Sequence, residues 1–157
     1  MRPTPTVLFL LLAAVAWPQS KPDFSGTWNL NLTDSDYSAP GASLPDRLVR
    51  TIQQQGDHLK YQVVREKDGR KGGFEVDVVI GGAPYASDEA GVVEAKWKGQ
   101  TLVIETMFNP GSDRESSQTE NWTLAPDGKR LIDQYVAHRH DGGQTQIKRV
   151  FDKVQSK

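Results

Sequence analysis

Few residues of this chain could do chemistry. The main candidate lies in a segment that alternates as a β-strand does. Arg149 stands between Ile147 and Phe151 in an alternating segment, so a strand would point all three side chains to one face. A buried arginine is a cation that needs hydrogen-bond acceptors around it. Arg50 and Arg139 are possible second cations of the same kind.

His138 and His140 share a strand face and are followed by Asp141, which makes them a possible metal pair. Two ligands beside a turn do not form a site, and solvent-exposed histidines at a hairpin end are the favoured interpretation. The chain has no cysteine nucleophile, no Gly-x-Ser-x-Gly motif, no phosphate loop and no metalloprotease helix. We therefore expect a protein that is not an enzyme and that holds no metal or other cofactor.

Composition narrows the class of protein. The 157 residues carry a formal net charge of −1, and the two signs are spread along the chain. This pattern does not favour nucleic acid or an anionic membrane as a partner. The chain has no cysteine, so its stability must come from packing, which in an exported protein is typical of a bacterial barrel.

The first residues have the features of a secretory signal peptide. Arg2 gives a positive start, residues 7–15 are an apolar run too short to span a bilayer, and the run ends in an Ala-x-Ala site at residues 14–16. We predict a signal peptide over residues 1–16, with cleavage there or as far along as residue 20, and a flexible leader over 17–23. The mature protein is then expected to be secreted or periplasmic.

The remainder, residues 24–157, alternates between strand patterns and turn signals and suits one domain. No segment beyond the signal peptide keeps a helical apolar period for three turns. Segment 83–91 could add a short strand, so we predict eight to ten strands in an all-β fold. The nine clear strand patterns lie near residues 28–32, 47–55, 58–66, 73–80, 92–98, 101–108, 116–125, 129–139 and 144–153.

Short turns between successive strands force antiparallel neighbours, which gives an up-and-down meander. An open meander of this length would expose two long edges that could pair with other chains. Pairing of the first and last strands would remove those edges. The predicted fold is therefore a single closed antiparallel β-barrel.

Two stretches carry a resemblance to a known superfamily. Residues 24–28, Phe-Ser-Gly-Thr-Trp, resemble the Gly-x-Trp signature of the calycins, and they are closest to the opening strand of fatty-acid-binding proteins. Residues 147–153 resemble the last strand of that family. The resemblance implies a lipocalin-like barrel in which Gly26, Trp28 and Arg149 close one end, Arg149 lying across the Trp28 ring. It also allows a second role for Arg149, as the internal cation that receives a ligand carboxylate.

The alternation within each strand predicts which side chains face the interior. A shift of one residue in a strand would turn that strand's inward side chains outward. Mixed aromatic, aliphatic and polar side chains of this kind are typical of a cavity for a small hydrophobic or amphiphilic ligand, and a packed barrel is the alternative. Leu32, Arg50, Thr106 and Gln134 are also predicted to point inward. The predicted ligand-binding residues are Leu30, Tyr61, Phe74, Val76, Val78, Ile104, Phe108, Trp122, Arg149 and Phe151.

Two further functions stay open at this stage. One is an interaction protein such as a secreted protease inhibitor, whose contact surfaces would be the 17–23 leader and the 34–46 loop. That loop is rich in Pro and small polar residues and has no helical period, and Tyr37 and Leu44 could control access to the barrel mouth. The other is a haem-binding or enzymatic barrel that uses His138 or His140.

Overall fold

A computed structural model describes residues 20–155, so the predicted signal peptide lies outside the described residues. The described chain contains ten strands and no helix, which confirms the all-β prediction. None of its elements is a helix that could cross a membrane. The strands are β1 (Gly26–Leu30), β2 (Arg47–Gln55), β3 (His58–Lys67), β4 (Arg70–Val79), β5 (Tyr85–Ser87), β6 (Gly91–Lys98), β7 (Thr101–Phe108), β8 (Ser116–Leu124), β9 (Arg130–His138) and β10 (Gln144–Lys153).

The ten strands form one antiparallel sheet in the order β4-β3-β2-β1-β10-β9-β8-β7-β6-β5. Strand β1 pairs with β10, as the closure argument predicts, with Trp28 opposite Lys153. The two edges of the sheet therefore meet elsewhere, between β4 and the β5–β6 hairpin, and we call this junction the seam. It is bridged by the Gly81 amide, which donates to the Ala95 carbonyl at 2.7 Å, and by the Tyr85 hydroxyl, which lies 3.4 Å from the Glu75 carbonyl. The barrel is nearly closed.

A plug of aromatic side chains fills the end of the barrel where β1 begins. Phe24 and Trp28 are fully buried, and the Trp28 indole N–H donates to the Phe24 carbonyl at 2.8 Å. The Phe24 ring stacks on Trp97, with centroids 6.2 Å apart, and meets the edge of Trp122 at 5.9 Å. These contacts close the end with apolar surface, so we call it the plug end and the opposite end the mouth.

Part of the predicted leader is bound to the plug end. The Lys21 ammonium donates to the Gly99 carbonyl at 2.8 Å, and the Gln54 amide donates to the Pro22 carbonyl at 3.1 Å. The Phe24 amide in turn donates to the Gln54 side-chain oxygen at 3.0 Å. Lys21, Pro22 and Phe24 thus contact the plug end through these hydrogen bonds.

The residue that lies over Trp28 is Lys153 and not Arg149. The Lys153 ammonium is 5.1 Å from the centroid of the Trp28 ring, a cation–π contact. Gly26 adopts a φ of +137°, and a Cβ there would come within 2.7 Å of the Lys153 side chain. Gly26 therefore leaves room for the lysine stem, and closure of this end is a three-residue contact of Gly26, Trp28 and Lys153.

Two residues predicted to point inward are exposed. Strand β1 ends at Leu30, so Leu32 falls in a turn and is 44% exposed. Gln134 lies on the outer face of β9, because its neighbours Asp133 and Tyr135 take the inner face. Arg50 and Thr106 are buried as predicted.

Replacement of Trp28 by alanine should destabilise the fold by about 3–5 kcal/mol, because it leaves a cavity and frees the Phe24 carbonyl. Leu32→Ala is the matched control, since loss of an exposed side chain should change the free energy of unfolding by less than about 0.5 kcal/mol. Denaturant unfolding of the two variants measures both. A wild-type midpoint for Trp28→Ala would contradict the described plug.

Replacement of Lys153 by glutamine should lower the free energy of unfolding by about 0.5–1 kcal/mol, the typical value of a cation–π contact at a partly exposed site. Lys148→Gln, an exposed lysine on the same strand, should have no measurable effect. Equal losses for the two variants would mean that the Lys153 contact with Trp28 adds nothing to stability.

Candidate functional site

The interior of the barrel has two parts that differ in kind. The part near the plug end is packed with apolar side chains, among them Leu59, Val76, Leu102 and Leu131, all at most 1% exposed. The part near the mouth is an open space, which we call the upper cavity. The side chains that separate the two parts are charged.

The upper cavity has a volume of about 1070 Å³. It is framed by strands β2, β3, β4, β8, β9 and β10 and by the 34–46 loop. Toward the mouth the lining changes to basic and small residues of the β3–β4 hairpin. The apolar and aromatic wall is formed by Tyr37, Pro45, Leu48, Val63, Phe74, Tyr135, Ala137 and Ile147.

Four charged side chains, which we call the floor cluster, lie at the bottom of the cavity. Arg50 bonds Glu120 at 2.6 Å and lies 3.1 Å from Asp133. Arg149 lies 3.1 Å from Glu120 and 2.6 Å from Asp133, to which its Nε also donates at 2.8 Å. Each carboxylate is thus shared by both guanidinium groups. The most exposed side chain of the four, Arg149, is only 12% exposed.

Aromatic rings support the floor cluster from below and from the side. The Arg50 guanidinium lies 4.8 Å from the Trp122 ring centroid and 4.7 Å from that of Phe151. The Trp122 indole N–H donates to Glu120 at 2.9 Å. Arg149 lies 4.1 Å from the Tyr135 ring. The floor cluster is therefore bonded to the packed core, and its position is fixed by that core.

The charges of the floor cluster compensate one another when both carboxylates are ionised. A ligand carboxylate would then have to displace Glu120 or Asp133 to reach a guanidinium. Four buried atoms of the cluster, Arg50 Nε and Nη1, Asp133 Oδ1 and Arg149 Nη2, make no hydrogen bond within the described residues, although the two Nη atoms lie within ion-pair distance of a carboxylate. These atoms could still form hydrogen bonds, although both guanidinium groups of the floor are paired with carboxylates.

The two carboxylates differ in proton affinity. Burial raises the pKa of Asp133 to about 7, against the opposing attraction of Arg149. Burial also works to raise the pKa of Glu120, but the Arg50 and Arg149 guanidiniums outweigh it and lower that pKa to about 2. The Trp122 N–H adds to the lowering. Asp133 is therefore the carboxylate that takes up a proton first.

Of the ten residues predicted to bind ligand, two line the upper cavity, Phe74 and Arg149. Arg149 is not available as a free cation, since it already contacts two carboxylates. Phe108 is half-buried at the end of β7, away from the cavity lining. The other seven lie outside the cavity lining, in the core or packed against it: Leu30, Tyr61, Val76, Val78, Ile104, Trp122 and Phe151.

Sequence reasoning missed both carboxylates of the floor cluster. Their signal was present in the alternation, because Glu120 is two residues before the inward Trp122 and Asp133 is two residues after the inward Leu131.

Among the loop residues, Tyr37 lines the cavity, whereas Leu44 is 48% exposed and lies outside the lining. His138 and His140 are exposed, and no group of three metal-ligating side chains occurs within residues 20–155.

The 34–46 loop is attached to the barrel. Asp36 pairs with Lys148 in a backbone bridge, and the Thr145 hydroxyl donates to the Pro40 carbonyl at 3.1 Å. Arg65 donates to the Ser43 carbonyl at 3.3 Å and to its hydroxyl at 3.0 Å. The loop therefore forms a fixed wall of the cavity.

The two carboxylates should give opposite pH dependences of stability. Because folding raises the pKa of Asp133 from 3.8 to about 7, the folded state holds its proton more tightly, and the stability of wild type relative to Asp133→Asn should fall as pH rises between these values. Folding lowers the pKa of Glu120 from 4.5 to about 2, so the stability of wild type relative to Glu120→Gln should rise with pH over that range.

Denaturant unfolding of wild type and both variants at a series of pH values measures these two slopes. A difference between wild type and Asp133→Asn that stays constant from pH 4 to pH 7 would contradict the raised pKa of Asp133.

Comparisons with known proteins place the fold. No protein-family model and no curated protein sequence matches this chain. Secretory abundant heat soluble protein 4 from Ramazzottius varieornatus has a similar structure, with a TM-score of 0.58 at 14% sequence identity, over 88% of this chain and 100% of that one. A structure described as the REP1-NXSQ fatty acid transporter matches with a TM-score of 0.50 at 10% identity, over 85% of this chain and 98% of that one. At such identities the similarity shows a shared β-barrel fold.

Proposed function

We propose that this protein binds a small hydrophobic or amphiphilic molecule, of the size and character of a single-chain lipid, in the upper cavity. It would act as a secreted or periplasmic carrier. The proposal combines the cavity with the export signal predicted for residues 1–16. Bacterial origin belongs to the same proposal and depends on the absence of cysteine in an exported chain.

The observation that carries the proposal is an open cavity of about 1070 Å³ above a fully packed core. Ligand sites in proteins are typically concave spaces of about 300–1,000 Å³ with mostly apolar walls and a few convergent polar groups. Here Leu48, Val63, Phe74 and Ile147 supply apolar wall. A structure that used its whole interior for stability would fill this space with side chains.

The floor cluster sets the chemistry of the deep end of the cavity. Glu120 and Asp133 already hold both guanidinium groups, so an anionic terminus would have to displace one of them, and an uncharged terminus is favoured. The Tyr135 hydroxyl, which donates to Gln118 at 3.0 Å, adds a further polar group to the wall. These surroundings fit an alkyl chain whose end near the floor cluster carries either a neutral polar group or no polar group.

The fold comparison supports a lipid-like ligand. One structure that shares the fold is described as a fatty acid transporter, and the other as a secretory protein. These descriptions apply to the two neighbours, and they agree with a binding protein for this chain. Both buried carboxylates are held by Arg50 and Arg149, an arrangement that fits a rigid base for a binding cavity.

Ligand extraction tests the proposal directly. The mature protein, purified under native conditions and extracted with organic solvent, should release an apolar or amphiphilic molecule that mass spectrometry identifies in near-stoichiometric amount. Protein emptied in this way should bind an environment-sensitive apolar probe. An empty extract together with no binding of the probe would overturn the proposal.

A variant that fills the cavity should lose binding while it keeps the fold. Ala137 is half-buried and lines the cavity, so Ala137→Phe should weaken binding of the probe by about tenfold or more through lost space. Ala86→Phe, at an exposed position of β5 outside the lining, is the matched control and should bind as wild type does. Affinities from fluorescence titration and midpoints from denaturant unfolding separate binding from stability. Unchanged binding by Ala137→Phe would show that the probe occupies another site.

A further inference from the structure

The mouth of the upper cavity carries a cluster of positive charge. Four cationic side chains of the β3–β4 hairpin line it, Arg65, Lys67, Arg70 and Lys71, and we call them the basic rim. Asp68 is the one carboxylate of that hairpin among the lining residues. From the sequence this segment reads as a solvated hairpin tip, but it borders the cavity.

Strand geometry brings three of these cations to the cavity. Arg65 and Lys67 follow Val63 at intervals of two residues, and Arg70 stands four residues before Phe74 on the adjacent strand. The inner faces of β3 and β4 thus change from apolar to basic as they reach the mouth. Gly72, between Arg70 and Phe74 on that face, adds no side chain, and a Cβ there would meet nothing within 4 Å. The mouth beside this glycine is open.

The basic rim lacks the charge pairing found elsewhere on the barrel surface. On the outer faces, Lys60 pairs with Glu75 at 2.9 Å and Lys96 with Glu105 at 2.6 Å. Within residues 20–155, none of the four rim cations forms a salt bridge with a carboxylate. Arg65 and Lys67 instead share the neutral hydroxyl of Ser43, at 3.0 Å and 2.6 Å. The rim therefore presents cations that no carboxylate pairs, whereas both guanidinium groups of the floor are held by carboxylates.

The opposite character of the rim and the floor fixes the orientation of an amphiphile. An anionic head group at the floor would face Glu120, whose guanidinium partners are already occupied. At the rim it would meet several cations that have no carboxylate of their own. A phosphate monoester carries a charge of about −1.5 to −2 and three acceptor oxygens. As a head group it can therefore bind several arginine and lysine donors at once, more than a carboxylate head group can.

We propose that the basic rim is a subsite for the phosphate head group of a single-chain amphiphile whose alkyl tail extends down to the floor cluster. The inference depends on the proposed function, because it requires that the upper cavity hold the tail. It adds the class of head group and the orientation of the ligand, with the head toward solvent.

Three matched amphiphiles test the head group: dodecyl phosphate, dodecanoate and dodecanol, each titrated below its micelle concentration by displacement of an apolar probe. Dodecyl phosphate should bind about tenfold or more tightly than dodecanol at low salt, with dodecanoate between them. This preference should shrink with added salt, since the Debye length falls from about 30 Å at 0.01 M to about 3 Å at 1 M.

A pair of double variants locates the subsite. Arg70→Gln with Lys71→Gln removes two exposed rim cations, and Lys98→Gln with Lys129→Gln removes two exposed lysines outside the cavity lining, with the same change in net charge. The rim variant should lose about tenfold in affinity for dodecyl phosphate and less than about twofold for dodecanol. The control variant should keep both affinities.

The outcomes separate this inference from the proposed function. If wild type binds dodecanol and dodecyl phosphate equally, or if the rim variant keeps its affinity for the phosphate, the rim subsite is wrong while the carrier function stands. If no amphiphile binds, the carrier function itself fails. Inorganic phosphate should compete only weakly with dodecyl phosphate, because it has no tail; equal competition would overturn the proposed place of the tail.

Discussion

The structure depends on the ion pairs of Arg50 and Arg149 with Glu120 and Asp133. Burying four charges is costly unless each is paired and hydrogen-bonded, and here each carboxylate contacts both guanidinium groups. The four residues come from β2, β8, β9 and β10, so the cluster links strands on different sides of the barrel. Removal of one member would leave an uncompensated charge, which makes the cluster a single unit.

This unit divides the barrel into a packed half and an open half. Toward the plug end, the rings of Phe24, Trp28 and Trp122 pack without a large space, and that half supplies stability. Toward the mouth, the walls surround an open space, and the fold is stable without side chains filling it. The Arg50 guanidinium lies on the rings of Trp122 and Phe151, so the floor of the cavity is held by the core below it. The upper cavity can therefore change its contents while the lower half keeps the fold.

Much of the fold could be predicted from the sequence because alternation and turn signals act locally. Strands β2, β7 and β10 begin and end where the sequence predicts. Alternation gives the face of a side chain but not its depth along the barrel axis, so Val76 and Trp122 were predicted to line a cavity and lie in the core. The resemblance to calycins put Arg149 over Trp28, but Lys153, four residues further on the same face, lies there. Glu120 and Asp133 escaped prediction because acidic side chains are almost never fully buried unless they are paired, and their pairing with Arg50 and Arg149 joins different strands.

A crystal structure of the protein grown with a bound single-chain amphiphile tests the proposed binding in the upper cavity most directly. We expect electron density for one alkyl chain between Leu48, Val63, Phe74 and Ile147, with the four ion pairs of the floor cluster intact beneath it. Density for the chain below Arg50, among Trp122 and Phe151, or an upper cavity closed by protein side chains, would contradict the division of the barrel into a packed half and a binding half.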